Sequence, residues 1–347
     1  MKIKHKKNVS HSKPTISIKQ YMYLSMIFLT RNLSTGKVVK KLEEVLSKYH
    51  QREYCVVTNS GTSALHLYFL SVIKEKGDEI IIPGYACRDI ANAVLLAKGK
   101  PIVVDCEENG QVQKDDIMLL ITSRTKAIVI QHNFGYPCIL DALDKIGIEI
   151  IEDCTHSFKS YYTFTHVLFS LGATKYVSGA EGGAILTNSK KTYNRIRNYL
   201  SESSFTRYPY RESDVHAAIA LMQVTEINKY VRKRRKIAEY YTKKLFPLIG
   251  RISLLYEENN HAPYRFVIKL RDKRDCDDCL IFCKRHGIQC ERPITLHSSA
   301  LTLEHVESNQ ETFFSLPIYP SLSCLERRRV ISVILKYFKK DSGRHNV

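Results

Sequence analysis

From Gly36 onward, short apolar runs alternate with segments of helical length, and this alternation restricts the fold more than any other feature of the chain. Tyr54–Thr58, Glu79–Ile82, Pro101–Val104, Lys126–Ile130 and Ile148–Ile151 read as strands, each bounded by turn residues. Val38, Val39, Leu42, Val45 and Leu46 recur at helical spacing ahead of the first, and Asp89–Ala97 and Ile139–Ile146 have helix length between later ones. Strands that alternate with helices predict an α/β fold, a mainly parallel sheet with helices on both faces. His166–Ser170, Tyr176–Val177 and Ala184–Thr187 then follow one another with no helix between them, which predicts an antiparallel edge or the rim of a site. Asp214–Leu245 reads as one long helix bridging two domains, with Ala217, Ala218, Leu221, Val224 and Ile227 on one face. Beyond it, a strand at Tyr264–Leu270, a helix at Cys276–His286, a strand at Gly287–Glu291 and a closing helix at Ser323–Phe338 predict a smaller α+β unit.

The 347 residues suggest about two domains, and 44% apolar residues suffice for a core in each. The expected division is a basic N-terminal segment at 1–34, a large domain at 35–232 and a small domain at 233–347. Basic Met1–Lys13 followed by apolar Tyr21–Leu29 imitates a signal peptide, but the apolar stretch is short and no small-residue cleavage pattern follows. No apolar run reaches the roughly 18 residues of a membrane span. Ten scattered cysteines fall short of a disulfide framework and fit reduced thiols in a cytoplasm. Lys plus Arg number 53 against 35 acidic residues, a net charge of +18 that favours anionic partners: nucleic acid, a membrane surface or phosphate-bearing small molecules.

Three segments carry chemistry. Asn59-Ser60-Gly61-Thr62-Ser63-Ala64-Leu65 stands where a strand turns into a helix, so backbone N–H groups and hydroxyls there suit a phosphate; taken alone, the motif more often marks an ordinary helix N-cap. Ile151-Glu152-Asp153 places acids at the C-terminal end of a buried strand, where open α/β sheets hold ligands, although such an acid also caps turns. Lys175 lies between Ser170 and the glycine-rich Ser178–Gly183, a setting that could hold a lysine for use as a nucleophile, or leave it on the surface.

Taken in order along the chain, these segments, together with Pro101–Asp105, Asp214–Gln223, Arg292-Pro293 and Leu316–Pro320, resemble the DegT/DnrJ/EryC1/StrS family of sugar aminotransferases over roughly Gly36 to Phe338. The resemblance implies the type I aminotransferase fold, with a mainly parallel seven-stranded sheet, a large domain that binds pyridoxal 5′-phosphate and a smaller α+β C-terminal domain. It implies that Lys175 joins covalently to the cofactor and moves protons at the substrate carbon. Asp153 would pair with the cofactor's ring nitrogen, and His156, where the family usually has glutamine, would lie beside its ring oxygen. Gly61, Thr62, Ser63 and Ser170 would clasp its phosphate. Tyr85 would stack on the ring, because Cys87 replaces the family's aromatic residue, while Tyr210, Arg211 and His297 would face the substrate.

The implied function is transfer of an amino group from an amino acid, glutamate by expectation, to a nucleotide-linked keto-sugar in amino-sugar and surface-polysaccharide biosynthesis, by a cytoplasmic homodimer. No nucleic acid and no metal are expected. Departures from the family pattern are a shortened Asp153–Ser170 segment, Cys87, and Arg207-Tyr208-Pro209-Tyr210-Arg211, which lacks the usual asparagine. They keep open a sugar dehydratase of the same fold and a non-catalytic regulatory or binding paralogue. Cys276, Cys279, Cys283, Cys290 and His286 imitate metal-ligand spacing, yet Cys276, Leu280 and Cys283 fall on one helical face and read as core. Arg232–Lys236 reads as the solvated face of the long helix.

Overall fold

The computed structural model describes residues 8–140, 142–158, 164–255, 262–297, 300 and 302–341. Residues 1–7 of the basic N-terminal segment and 159–163 of the shortened Asp153–Ser170 segment lie outside the described residues. Tyr54–Thr58 (β1), Glu79–Pro83 (β2), Lys100–Val104 (β3), Thr125–Gln131 (β4), Glu149–Asp153 (β5), His166–Ser170 (β6) and Gly183–Thr187 (β7) form a seven-stranded sheet in the order β1, β7, β6, β5, β4, β2, β3. Strands β2 to β6 pair in parallel. Such strands are covered on both faces, so runs such as Ile80-Ile81-Ile82 can be apolar without alternation.

β7 is antiparallel to both of its neighbours, β1 and β6. The antiparallel element expected at an edge is therefore interior, and β1 forms the edge. Tyr176–Val177 is a bend rather than a strand; it belongs to the loop that carries Lys175. Ile139–Ile146 does not form the expected helix: Ala142 adopts φ 55, which interrupts helical geometry, and a single 3-10 turn at Leu143–Ile146 follows.

Helices α1 (Ile18–Thr30), α2 (Lys37–His50) and α7 (Asp214–Leu245) cover one sheet face, where Val57, Val167, Phe169 and Leu186 point. Helices α3 (Gly61–Val72), α4 (Arg88–Leu96) and α6 (Lys190–Leu200) cover the other, over Val56, Leu168 and Ile185. Successive strand side chains alternate between faces, so one strand feeds both cores. A short helix α5 (Lys114–Leu119) precedes β4.

The apolar Tyr21–Leu29 stretch is part of α1, which packs along α7. The long helix runs from the core under the large sheet, through Ala217 and Ile227, into a second core through Ile237, Tyr241 and Leu245. That second core lies under an antiparallel sheet of Ser253–Leu254 (β8), Phe266–Lys269 (β9) and Phe313–Leu316 (β10), with helices α8 (Lys273–Arg285), α9 (Glu304–Thr312) and α10 (Cys324–Asp341). Gly287–Glu291 makes only single bridges, Ile288 to Val9 and Glu291 to Ser315. Gly287 at φ 71 closes the end of α8 and Pro293 offers no N–H, which leaves little room for a ladder.

Cys276 and Cys283 are fully buried on the inner face of α8, as their helical spacing predicts, joined by Cys279, while Leu280 is only partly buried beside them. Arg234 corrects the solvated reading of Arg232–Lys236: it is 3% exposed and sits on the buried stripe formed by Ile227, Tyr230, Ile237 and Tyr241.

Asp214 joins two helices. Its Oδ1 accepts the N–H groups of Gly36 and Val39, at 2.9 Å each, and so caps α2 from the first turn of α7. Replacing Asp214 with Ala strands both donors and should cost about 1–3 kcal/mol, read as a lower midpoint in denaturant unfolding at unchanged slope.

Candidate active site

The site is assembled where strand ends meet. At the start of β7, Gly183 lies opposite Thr58, the last residue of β1, and opposite Ser170, the last residue of β6. Just before it, Gly182 at φ 130 bridges Ser60. A Cβ on Gly183 would collide with the Ser60 carbonyl, so only glycine allows the two turns to approach this closely.

Ser60 caps α3: its Oγ accepts the Ser63 N–H at 3.0 Å, and the Ser63 hydroxyl donates to Asn59 Oδ1 at 2.7 Å. By helix geometry the N–H groups of Gly61 and Thr62 have no intrahelical partner. A Cβ on Gly61 would stand 3.2 Å from that of Ser170, so Gly61, Thr62, Ser63 and Ser170 line one small cradle at the positive end of a helix.

Asp153 ends β5, one strand further in, and is 1% exposed. Its Oδ1 accepts the Thr155 N–H at 2.8 Å, the Thr155 side chain adds a second hydrogen bond, and Oδ2 has a long 3.5 Å contact from Gln131 at the end of β4. Burial raises its carboxyl, and the Thr155 hydrogen bonds and the charge of Lys175 oppose that rise. His156 follows at the head of the next loop, 6% exposed and stacked on Tyr264 at 4.7 Å between ring centres and 22° between planes. Burial holds its imidazole well below the ordinary range, with Lys175 and Arg265 adding to the effect, so it is neutral at neutral pH.

Lys175 lies half-buried in the loop between β6 and β7, its ammonium 5.0 Å from the ring centre of Tyr264. The arrangement therefore holds an amine, a buried carboxylate and a neutral imidazole beside an anion cradle. The residues fit a flat, cationic-ring cofactor bearing a phosphate: His156 Nδ1 and Gln131 Oε1 are buried with no hydrogen-bond partner among the described residues, and Asp153 is a buried carboxylate.

The other expected residues lie as follows. Tyr85 does not stack in the site; its fully buried ring packs edge-on to Phe313 at 5.3 Å and to Phe134 at 6.1 Å. Phe134 in turn faces His156 at 6.4 Å between ring centres, and Cys87 is among the residues that feel the charge of Lys175. The backbone carbonyl of Tyr210 accepts the Asn59 N–H at 2.9 Å, its hydroxyl meets His66 Nδ1 at 3.1 Å, and Arg211 pairs with Glu202 at 2.8 Å, which pins their loop beside the cradle. The loop of His297 reaches α4, where the Thr295 carbonyl accepts the Arg88 N–H at 3.1 Å.

Sequence reasoning overlooked Gln131 and His132, although Gln131 ends β4 as Asp153 ends β5 and His132 follows it, and the rule of strand C-terminal ends applies to both. His132 Nε2 lies 2.7 Å from Glu152 Oε1 and its Nδ1 accepts the Cys138 N–H, so this buried pair supports the strand end behind Asp153. With Cys154 it forms the one group of possible metal ligands found among the described residues, all within 4.8 Å. Tyr264, Arg265 and Arg234 were also missed. They reach the site from the loop before β9 and from α7, across a distance in sequence that no local motif spans.

A family model described as the DegT/DnrJ/EryC1/StrS aminotransferase family matches residues 18–335. Among solved structures, the Helicobacter pylori aminotransferase PseC, involved in the biosynthesis of pseudoaminic acid, superposes with a TM-score of 0.89 at 20% identity, covering 96% of this chain and 100% of that one. The aminotransferase TlmJ of Streptoalloteichus hindustanus gives 0.88 at 20% identity, with 96% and 100% covered. NtdA of Bacillus subtilis, with bound cofactor PMP, gives 0.84 at 23% identity, with 96% and 87% covered. At these identities the likeness shows the fold. No helix among the described residues is long and apolar enough to cross a membrane.

Because burial raises the Asp153 carboxyl above its unfolded value, this group stabilises the fold below the ordinary carboxylate range, and that contribution is lost as pH rises through the raised value. Cofactor-free Asp153→Asn should therefore unfold at a higher temperature than the parent at neutral pH. The gap should close below about pH 4, near the unfolded pKa of Asp, when both are followed by thermal melts across pH.

Proposed function

Because the chain belongs to the DegT/DnrJ/EryC1/StrS aminotransferase family, whose members are pyridoxal-phosphate-dependent, we propose that it transfers an amino group from an amino acid, glutamate by preference, to a nucleotide-linked keto-sugar. The observation that carries this reading is the convergence of Lys175, buried Asp153 and the cradle of Gly61, Thr62, Ser63 and Ser170 through the ends of β1, β5, β6 and β7. When bound, pyridoxal phosphate supplies an electron sink and stores the amino group between the two halves of the transfer.

The chain's own residues supply the rest. The N–H groups of Gly61 and Thr62 and the Ser170 hydroxyl would hold the phosphate, and Ser63, whose hydroxyl is turned to Asn59, would have to release that bond to join them. Asp153, kept from water, presents its charge to the ring nitrogen, where an opposing cation offsets the burial that otherwise disfavours the carboxylate. His156 offers a neutral ring nitrogen to the cofactor's ring oxygen. Lys175 provides the amine that holds the cofactor between turnovers, and its neutral form takes a proton from the substrate carbon and returns it to the cofactor side. Storing the amino group between halves predicts ping-pong kinetics.

A sugar diphosphate suits the excess positive charge of the chain, and Tyr210, Arg211 and the His297 loop border the cradle and α4 from which a sugar would be read. The same reading takes the protein as a homodimer in amino-sugar biosynthesis. Retention of Lys175 favours transamination over the dehydratase and non-catalytic alternatives.

Borohydride treatment of protein incubated with pyridoxal phosphate should fix the cofactor on the peptide containing Lys175, and Lys175→Ala should take up none. The cofactor absorbance should bleach with glutamate and return with a keto-sugar nucleotide. A fixed cofactor that never exchanges an amino group would overturn the aminotransferase reading.

A further inference from the structure

One aromatic residue lies against the lysine and comes from outside the large sheet. Tyr264 lies in the loop before β9 and is 3% exposed. Its ring is parallel to His156 and lies under the Lys175 ammonium at 5.0 Å. Arg265 at 4.8 Å and Arg234 at 5.7 Å stand against the same ring. Its hydroxyl receives a hydrogen bond from Thr174, the residue before the lysine.

The backbone is held as firmly. The Tyr264 N–H donates to the Phe134 carbonyl at 2.7 Å, and its carbonyl accepts from Arg234 Nη1 at 3.1 Å. Arg234 is buried without a carboxylate among its described partners: it donates to the carbonyls of Tyr264 and Ile318 and stacks on Tyr176 at 5.0 Å. A buried guanidinium carries a large desolvation penalty, and here aromatic faces and backbone carbonyls offset it. Of these contacts only the Thr174 bond needs the phenol hydroxyl; a phenylalanine would keep the ring faces and the backbone bonds.

Resting on the assignment of Lys175 as the cofactor-binding amine, we propose that Tyr264 is a positioning residue for that amine, seating its ammonium on the ring and tying the loop to the ring through Thr174. The groups facing the phenol are Lys175 and Thr174 from the loop, Arg265 from its own segment, Arg234 from α7 and neutral His156; Asp153 faces the lysine, and Arg265 is backed by His11 and Glu291. Burial alone would raise the phenol, but Lys175, Arg265, the Thr174 bond and Arg234 outweigh it and bring it to about 8. Above that value the phenolate sets a negative charge beside the ammonium, and below it the neutral ring holds the ammonium by its π face alone.

The test uses cofactor-free full-length protein, cyanate as the probe and peptide mass spectrometry of carbamylation at Lys175 across pH, since cyanate attacks only the neutral amine. Tyr264→Phe keeps the ring and loses the hydroxyl. Its Lys175 should react at least about threefold faster than the parent's at about pH 9, with the difference closing below the phenol's range. Tyr264→Leu should react faster at every pH. Thermal melts establish that each variant is folded, and should Tyr264→Leu unfold, the Phe comparison decides alone.

Identical profiles for parent and Tyr264→Phe would overturn the proposal, as would a pH-independent acceleration in Tyr264→Phe, which would mean looser packing rather than coupling. Borohydride fixation reads the role of Lys175 separately, so either assignment can fail without the other.

Discussion

The antiparallel insertion of β7 between β1 and β6 is the constraint on which the site depends. Without it, the turn before α3 and the loop carrying Lys175 would end on strands with no shared residue. With it, Gly183 is opposite Thr58 on one side and Ser170 on the other, and the anion cradle and the amine are fixed by backbone hydrogen bonds. Strand pairing is a precise ruler, since a one-residue slip reverses which face each side chain meets. Gly182 and Gly183 make the approach possible because a Cβ on either would strike Glu212, Leu171 or the Ser60 backbone.

The electrostatics of the site follow from burial. A carboxylate at the end of β5 is removed from water and given few donors, which makes it unfavourable in the empty protein and suited to an opposing positive charge. Around it the protein places two cations, Lys175 and Arg234, and sets them against the rings of Tyr176 and Tyr264. Stability is given up locally in the interest of a ligand, while the cost is carried by two large apolar cores joined along α7.

Much of this was legible in the residue order. The strand and helix alternation, the turn at Ser60-Gly61, Asp153 at a strand end and Lys175 between two turns all depend on local pattern, and α7 begins and ends at the residues its periodicity marks. Arg234 was misread because a run of five basic residues suggests a wet surface, although its spacing from Ile227, Tyr230, Ile237 and Tyr241 places it on the inner stripe. Tyr85 was misjudged for a different reason: its distance along the chain from the strand end was right, but its ring turned to Phe313 and Phe134, where apolar contact outweighed exposure in a cleft. Tyr264 carried no local signal, since nothing near it in sequence binds a ligand.

The sequence by itself determined the class of fold, the order of the strands' appearance and the residue types at the strand ends, because these follow from hydrophobic period, turn chemistry and the chirality of strand crossovers, all properties of neighbouring residues. Only the tertiary structure decided that β7 lies inside the sheet, that Arg234 is buried and that Tyr264 meets Lys175. Those outcomes are contacts between segments far apart in the chain, and which distant segment fills a given space is settled by packing and desolvation across the whole molecule.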